Sequence, residues 1–143
     1  MAKLLKISEA ATMALHSMVL LARDPDRMLT TQEMADEIHV SANHLAKVMQ
    51  RLSKDGLASA TRGPHGGFML GKRPSSINLL SIYEAIEGPL EKSNCLLEVP
   101  VCGGTHCILG GLIAGLHQQV RDYLKKTRLS DLDDVYPCQR RVS

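Results

Sequence analysis

The sequence predicts a mainly α-helical fold with one small β-hairpin, arranged as a winged helix-turn-helix followed by a long C-terminal helix. Three observations carry that expectation. Apolar residues recur at helical spacing in five segments; aromatic residues make up only 3% of the chain, with no Trp; and one glycine-flanked turn, G-P-H-G-G, separates two short strand-like runs. An apolar complement of Leu, Ile, Val, Ala and Met favours helices packed on helices over a β-sandwich. At 143 residues the chain can bury one respectable core but not two.

Ser8 stands where a helix cap belongs, and Ala11, Leu15, Met18, Val19 and Ala22 follow at helical spacing as far as Asp24-Pro25. The run T-T-Q-E-M-A-D-E-I has Thr30 and Glu33 at capping-box spacing, with Met34, Ala35 and Ile38 along one side. A break at His39-Val40 precedes a third helix capped by Ser41, with Leu45, Val48, Met49 and Leu52 apolar and Gly56 as its stop. The strand-like runs L-A-S-A-T-R and G-F-M-L come next. Residues 78–87 are predicted helical through Leu79, Ile82, Tyr83 and Ile86, closing at Gly88-Pro89. After a loop at 90–107, the stripe Leu109, Leu112, Ile113, Leu116, Val120, Tyr123 and Leu124 marks a long last helix. Residues 131–143 are polar and are expected to form a loose tail.

Net charge is +2, spread as ten Lys/Arg against seven Asp/Glu in residues 1–75 and seven against eight in 76–143. That permits a local basic surface without arguing for nucleic acid by itself. No apolar run approaches the roughly 20 residues of a membrane span. The opening M-A-K-L-L-K-I-S-E-A lacks the pattern of a signal peptide, so a cytoplasmic location is expected. There, cysteine clusters more often bind metal or exchange electrons than form structural disulfides. No nucleophile–base pair, phosphate loop or paired acids indicate an enzyme, and no catalytic residue is expected.

The third helix carries Asn43, His44, Lys47, Gln50 and Arg51 on its polar side, with positions 43, 47 and 51 four apart and therefore aligned. Asn and Gln can pair with adenine edges, Lys and Arg with guanine edges or phosphates. Arg62 at the wing root and His65 at its tip can reach the neighbouring minor groove or its backbone. A polar helix face is most often merely solvated; the helix-turn-helix and wing around this one favour double-stranded DNA as its partner.

Residues 95–107, C-L-L-E-V-P-V-C-G-G-T-H-C, place Cys95, Cys102, His106 and Cys107 within thirteen positions, and the only other cysteine is Cys138. Three thiolates so close can wrap one face of an iron–sulfur cluster, leaving a fourth ligand to come from elsewhere. Gly103-Gly104 lets the backbone approach an inorganic core. Cys107, at the start of the long helix, would feel the N-terminal dipole that favours thiolate. The alternatives are unliganded thiols, a reversible disulfide, or zinc held by three cysteines and one histidine.

Four stretches together resemble the Rrf2 superfamily of bacterial regulators: K-I-S-E-A-A-T-M-A-L-H-S-M-V-L-L-A, V-S-A-N-H-L-A-K-V-M-Q-R-L-S-K-D-G-L, R-G-P-H-G-G-F-M-L and I-N-L-L-S-I-Y-E-A-I-E-G. The likeness covers most of residues 5–130, and the cysteine loop is similar to that of the iron–sulfur, IscR/NsrR-like branch. It implies a homodimeric winged-helix regulator, usually a repressor, on a near-palindromic operator. It also implies that Ser41, Asn43, His44, Lys47 and Arg62 occupy DNA-contacting positions, although many relatives have tyrosine at position 44. For the loop it implies an iron–sulfur cluster on Cys95, Cys102 and Cys107, two-iron favoured over four-iron. The spacing of six and four intervening residues departs from the family's usual five and five.

IscR-like members place a histidine a few residues after the third cysteine, where this chain has Gly110. NsrR-like members take a carboxylate from the partner's first helix, where it has Thr12. Glu9, Thr12 and His16 share one side of that helix, and His16 is the preferred fourth ligand. Glu9 and His106 come next, with Cys138 a distant option. The bland alternative for His16 is a partly buried imidazole bonded to a main-chain carbonyl.

The long helix has little of its own chain left to cover it, so pairing with a second copy is expected, setting two recognition helices about 34 Å apart. The expected organisation is 1–75 as the winged region, with the first helix also on the dimer and cluster side, 76–130 as cysteine loop and dimerisation helix, and 131–143 as tail. The expected function is a regulator sensing redox, nitric oxide or iron–sulfur status. A cluster-free thiol repressor and a protein–protein adaptor of cysteine metabolism are the alternatives.

Overall fold

The structure is a computed structural model that describes residues 7–90, 108, 109 and 111–136. Three helices come first: α1 Glu9–Arg23, α2 Thr31–Ile38 and α3 Ala42–Lys54. Strands β1 Ala58–Thr61 and β2 Gly67–Leu70 follow, then α4 Leu79–Glu87 and α5 Leu112–Lys126. One-turn 3-10 segments at Pro74–Ser76 and Leu129–Leu132 flank α4 and α5.

Four helices begin where a side chain can satisfy an orphan main-chain N–H. Ser8 accepts from the Ala11 amide at 3.1 Å, Ser41 from His44 at 3.3 Å and Asn78 from Ser81 at 2.9 Å. Thr30 and Glu33 complete the reciprocal capping box of α2. Between α2 and α3, His39 turns the chain in the left-handed region, at φ 58° and ψ 50°. For a residue with a Cβ that conformation costs roughly 1–2 kcal/mol, so the packing on either side holds it.

The core forms where the predicted stripes meet. Met13, Met18, Leu20 and Leu21 of α1, Met34 of α2, and Leu45, Met49 and Leu52 of α3 are buried together with Ile77, Ile82 and Leu129. α1 packs against α2, α3, α4 and β2, which places it at the centre.

The wing is an antiparallel pair in the register Ala58↔Leu70 to Thr61↔Gly67. Leu29 extends it from the other side: its amide donates to the Phe68 carbonyl at 3.0 Å and its carbonyl accepts from Phe68 at 2.7 Å. Glycine is required at this turn. A Cβ at Gly66 would stand 2.2 Å from the Thr61 carbonyl oxygen, and one at Gly67 would stand 2.7 Å from that of Leu29.

α5 begins at Leu112 rather than at the predicted Leu109, and its apolar stripe divides. Ile113 is buried, with His117 beside it one turn on, while Leu112, Leu116 and Tyr123 are exposed by 54%, 39% and 60%. One row therefore leans on this chain and the other faces outward. The end of α5 is laced to the start of α4: Leu79 donates to the Thr127 carbonyl and Leu129 to that of Ile77, each at 3.0 Å. The loose tail expected beyond residue 130 gives way as far as Tyr136, because Leu132 and Tyr136 pack on the core. Cys95, Cys102, His106, Cys107, Gly110 and Cys138 lie outside the described residues.

Candidate nucleic-acid interface

On α3 the buried row Leu45, Val48, Met49 and Leu52 leaves the opposite side to solvent, and Asn43, His44, Lys47 and Gln50 are exposed there. Their amide, imidazole and ammonium groups have no protein partner among the described residues, so they are available to a ligand. The Ser41 hydroxyl accepts from the His44 amide as cap, and its proton remains available to a phosphate oxygen.

Arg51 continues the 43–47 row but has a second task. Its guanidinium donates to the Ile86 carbonyl at 2.9 Å, in the last turn of α4. It thus neutralises one of the orphan acceptors at that helix end.

Arg62 and His65 are exposed in the turn between the strands. Between this wing and α3 runs an open groove of about 530 Å³, lined among others by Thr30, Gln50, Ser53, Thr61, Arg62 and Phe68. On the helix side Gln50 and Ser53 present an amide and a hydroxyl, and on the hairpin side stands the Arg62 guanidinium. That combination can grip a phosphate backbone while presenting side chains to base edges.

The ligand candidates divide. Glu9 and His16 are exposed on α1, and the Thr12 hydroxyl is occupied by the Ser8 carbonyl at 3.0 Å. Nδ1 of His16 shares a hydrogen bond with the Tyr136 phenol, the two rings meeting edge to face with centroids 5.9 Å apart. Burial first, and the Glu37 carboxylate second, push the Tyr136 phenol above its ordinary range. Glu37 is itself clamped by Arg23 at 2.8 Å, joining α2 to α1. Among the described residues no three His, Cys, Asp or Glu side chains converge as a metal site.

Two residues escaped the sequence reading. His117, 7% exposed on α5, has an Nε2 without a hydrogen-bond partner among the described residues; it lies one turn beyond Ile113 of the predicted apolar stripe, and only its residue type was a signal. Tyr136 is a lone aromatic in a polar stretch, and nothing local marks it as docked.

A helix-turn-helix with a glycine-tipped wing defines a transcription regulator. The family model for Rrf2, described as an iron-dependent transcriptional regulator, matches residues 7–134, and the chain belongs to that family. It is 30% identical over 139 residues to the transcriptional regulator NsrR of Bacillus licheniformis, covering 90% of this chain and 92% of that one. Among solved structures it is similar to CymR, the global cysteine regulator of B. subtilis, with a TM-score of 0.78 and 26% identity over 92% of this chain and 98% of the other. IscR of T. potens shares the fold at a TM-score of 0.72 and 22% identity, over 94% and 91% of the two chains. The protein is a transcriptional regulator and not an enzyme. Among the described residues no helix is long and apolar enough to cross a membrane.

Proposed function

We propose that the protein is a cytoplasmic homodimeric DNA-binding repressor that senses redox, nitric oxide or iron–sulfur status through an iron–sulfur cluster. The observation that carries the DNA half is the open row Asn43, His44, Lys47 and Gln50 beside a wing bearing Arg62 and His65. Asn43 and Gln50 would read base edges, Lys47 and Arg62 would hold phosphates, and Ser41, His44 and His65 would add polar contacts. Arg51 would hold α3 in place while its remaining N–H groups face the backbone.

Pairing through α5 is supported by its outward row of Leu112, Leu116 and Tyr123. Beside it a mainly apolar cleft of about 340 Å³ is lined by Ile7, Leu15, Tyr83, Gln119, Val120, Tyr123 and Leu124. A second copy would cover both.

The donor set fits a sulfur-bound iron centre: three cysteines within thirteen positions, and on α1 an exposed imidazole whose Nδ1 is occupied and whose Nε2 has no partner among the described residues. Cys95, Cys102 and Cys107 would hold it, with His16 as fourth ligand and Glu9 or His106 next. Such a centre, two-iron in preference to four-iron, supplies a charge that changes with electrons, oxygen or nitric oxide. The chain has the means to pass a local change on. Residues 91–107 follow α4 in sequence after Gly88, Pro89 and Leu90, and Arg51 ties the end of α4 to α3. A small change in the spacing of two recognition helices suffices, because both half-sites must be engaged together.

The test is purification without oxygen, followed by colour, iron and acid-labile sulfide. Cys95→Ala is expected to abolish visible absorption and change operator affinity; Arg62→Ala is expected to weaken DNA binding and leave the spectrum alone. A colourless, metal-free protein that binds its operator normally overturns the sensing role. It would favour a cluster-free thiol–disulfide repressor, the reading supported by the likeness to the cysteine regulator CymR.

A further inference from the structure

We propose that Thr31 and Thr61 hold the sugar–phosphate backbone of one DNA strand in the groove between α3 and the wing, as neutral donors beside the single cation Arg62. The inference deepens the reading of this face as a DNA interface and rests on it.

The groove of about 530 Å³ is walled by residues of α2, α3 and both strands. Gly63, Gly66 and Gly67 add no side chains to it, and Ala60 and Phe68 give it an apolar surface. Among the described residues that line it, Arg62 is the only cation and none is an anion. Sugar C–H groups can lie on such a surface, while phosphate oxygens need donors along it.

The candidate donors narrow by elimination. The Ser53 proton is already given to the Met49 carbonyl at 2.9 Å. The Thr30 hydroxyl caps α2, and its amide holds the Glu33 carboxylate at 2.9 Å, a charge that repels phosphate. Gln50 belongs to the row on α3 that faces base edges. Thr31 and Thr61 remain, one half-buried and one exposed, and neither hydroxyl has a partner among the described residues. The main chain brings them to one place. β1 pairs with one edge of β2 and Leu29 with the other, both meeting it at Phe68. Thr61 at the end of β1 and Thr31, two residues past Leu29, therefore reach the groove from opposite edges of β2.

A hydroxyl that donates to a phosphate oxygen makes a charge-assisted bond. It neutralises no charge and releases no counterion, so it leaves the salt dependence of binding unchanged, whereas Arg62 adds about one unit to the slope. A grip of this kind suits a chain whose net charge is only +2. Phosphates are alike at every base pair, so these bonds also carry no direct sequence information.

The probe is a duplex that the full-length wild type selects from a random-sequence library. Anisotropy titrations compare the wild type with Thr31→Val and Thr61→Val, which delete the hydroxyl and keep the branched shape, and with Thr31→Ser and Thr61→Ser, which keep the hydroxyl. Each valine variant is expected to bind about 3–10-fold more weakly, the worth of one hydrogen bond. The loss should be equal on the selected duplex and on versions with single base-pair changes, and the salt slope should stay that of wild type. The serine variants should bind as wild type does. Replacing phosphates one at a time by uncharged methylphosphonate should reveal a position that weakens the wild type and not the matching valine variant.

Wild-type affinity in both valine variants overturns the proposal, as does a loss that serine does not restore. A loss confined to one base pair overturns it too, since the threonine would then be reading a base. If the valine variants are silent while Arg62→Ala weakens binding, the threonine seat is wrong and the DNA interface stands. Should the wild type select no duplex, the DNA interface itself is what fails.

Discussion

The guanidinium of Arg51, on α3, donates to the main-chain carbonyl of Ile86 at 2.9 Å, one residue before the end of α4. A charged donor on an orphan helix carbonyl is a charge-assisted bond, worth more than a neutral one but screened where solvent reaches it. The bond joins α3 to the helix that precedes the cysteine-bearing stretch in sequence. Arg51→Ala is expected to lower unfolding stability by about 1 kcal/mol. Lys47→Ala, whose ammonium has no partner among the described residues, is expected to stay within about 0.5 kcal/mol of wild type. DNA titrations at several salt concentrations provide the complement: the slope of log affinity against log salt should fall by about 1 for Lys47→Ala if that side chain neutralises a phosphate. A stability loss in Lys47→Ala equal to that in Arg51→Ala contradicts this division of labour.

The wing gives a second prediction. A methyl group at position 66 would have to lie 2.2 Å from the Thr61 carbonyl oxygen, and that atom belongs to the backbone of the opposite strand. The strand end must shift. Gly66→Ala is therefore expected to destabilise by about 1–3 kcal/mol, as overpacking does. It should also weaken DNA binding more than Arg62→Ala, because the turn carrying both Arg62 and His65 is displaced. Chemical denaturation and fluorescence anisotropy with a duplex read the two effects separately.

These outcomes rest on features of unequal legibility. The caps Ser8, Thr30 with Glu33, Ser41 and Asn78 lie within three residues of the amides they satisfy, so the helices they open could be read from short stretches of sequence. The glycine turn marked the hairpin for the same local reason. The pairing of Leu29 with Phe68 could not be read, because it spans 39 positions and involves a single residue with no alternation around it. The docking of Tyr136 on His16 is likewise set by tertiary geometry alone. On α5, periodicity identified an apolar stripe but could not say which row meets its own chain. The structure gives Ile113 and His117 to the interior and Leu112, Leu116 and Tyr123 to the exterior. At the candidate site, residue types pointed to α3 and the wing, whereas the anchoring of Arg51 by Ile86 needed the fold.

Two phenols lead to a prediction about alkaline pH. Burial and then the Glu87 carboxylate push Tyr83 above its ordinary range, as burial and Glu37 do for Tyr136. The folded chain then holds these protons more tightly than the unfolded chain. Their contribution to stability is fully present below the unfolded phenol value of about 10 and is lost as pH rises through the folded values. The melting temperature is expected to fall as pH rises above about 10, with a smaller fall in Tyr136→Phe. An identical pH profile for wild type and Tyr136→Phe would show that the phenol proton contributes nothing.

The outward row of α5 supplies the last test. Leu116 is 39% exposed, flanked by Leu112 and Tyr123 at 54% and 60%, in contrast to the buried Ile113 on the other side of the helix. A carboxylate there is nearly harmless to an isolated subunit, where it meets water. In a two-fold pair it would be desolvated against its own copy, two like charges brought together without partners. Leu116→Asp is thus expected to sediment as a folded monomer with a near-wild-type melting profile at high dilution, while the wild type sediments as a dimer. Binding to a two-half-site duplex should then drop by about 10²–10⁴-fold, the advantage of linked engagement, while binding to a single half-site is preserved. If Leu116→Asp remains dimeric, the second copy meets the molecule elsewhere and the apolar row on α5 serves another purpose.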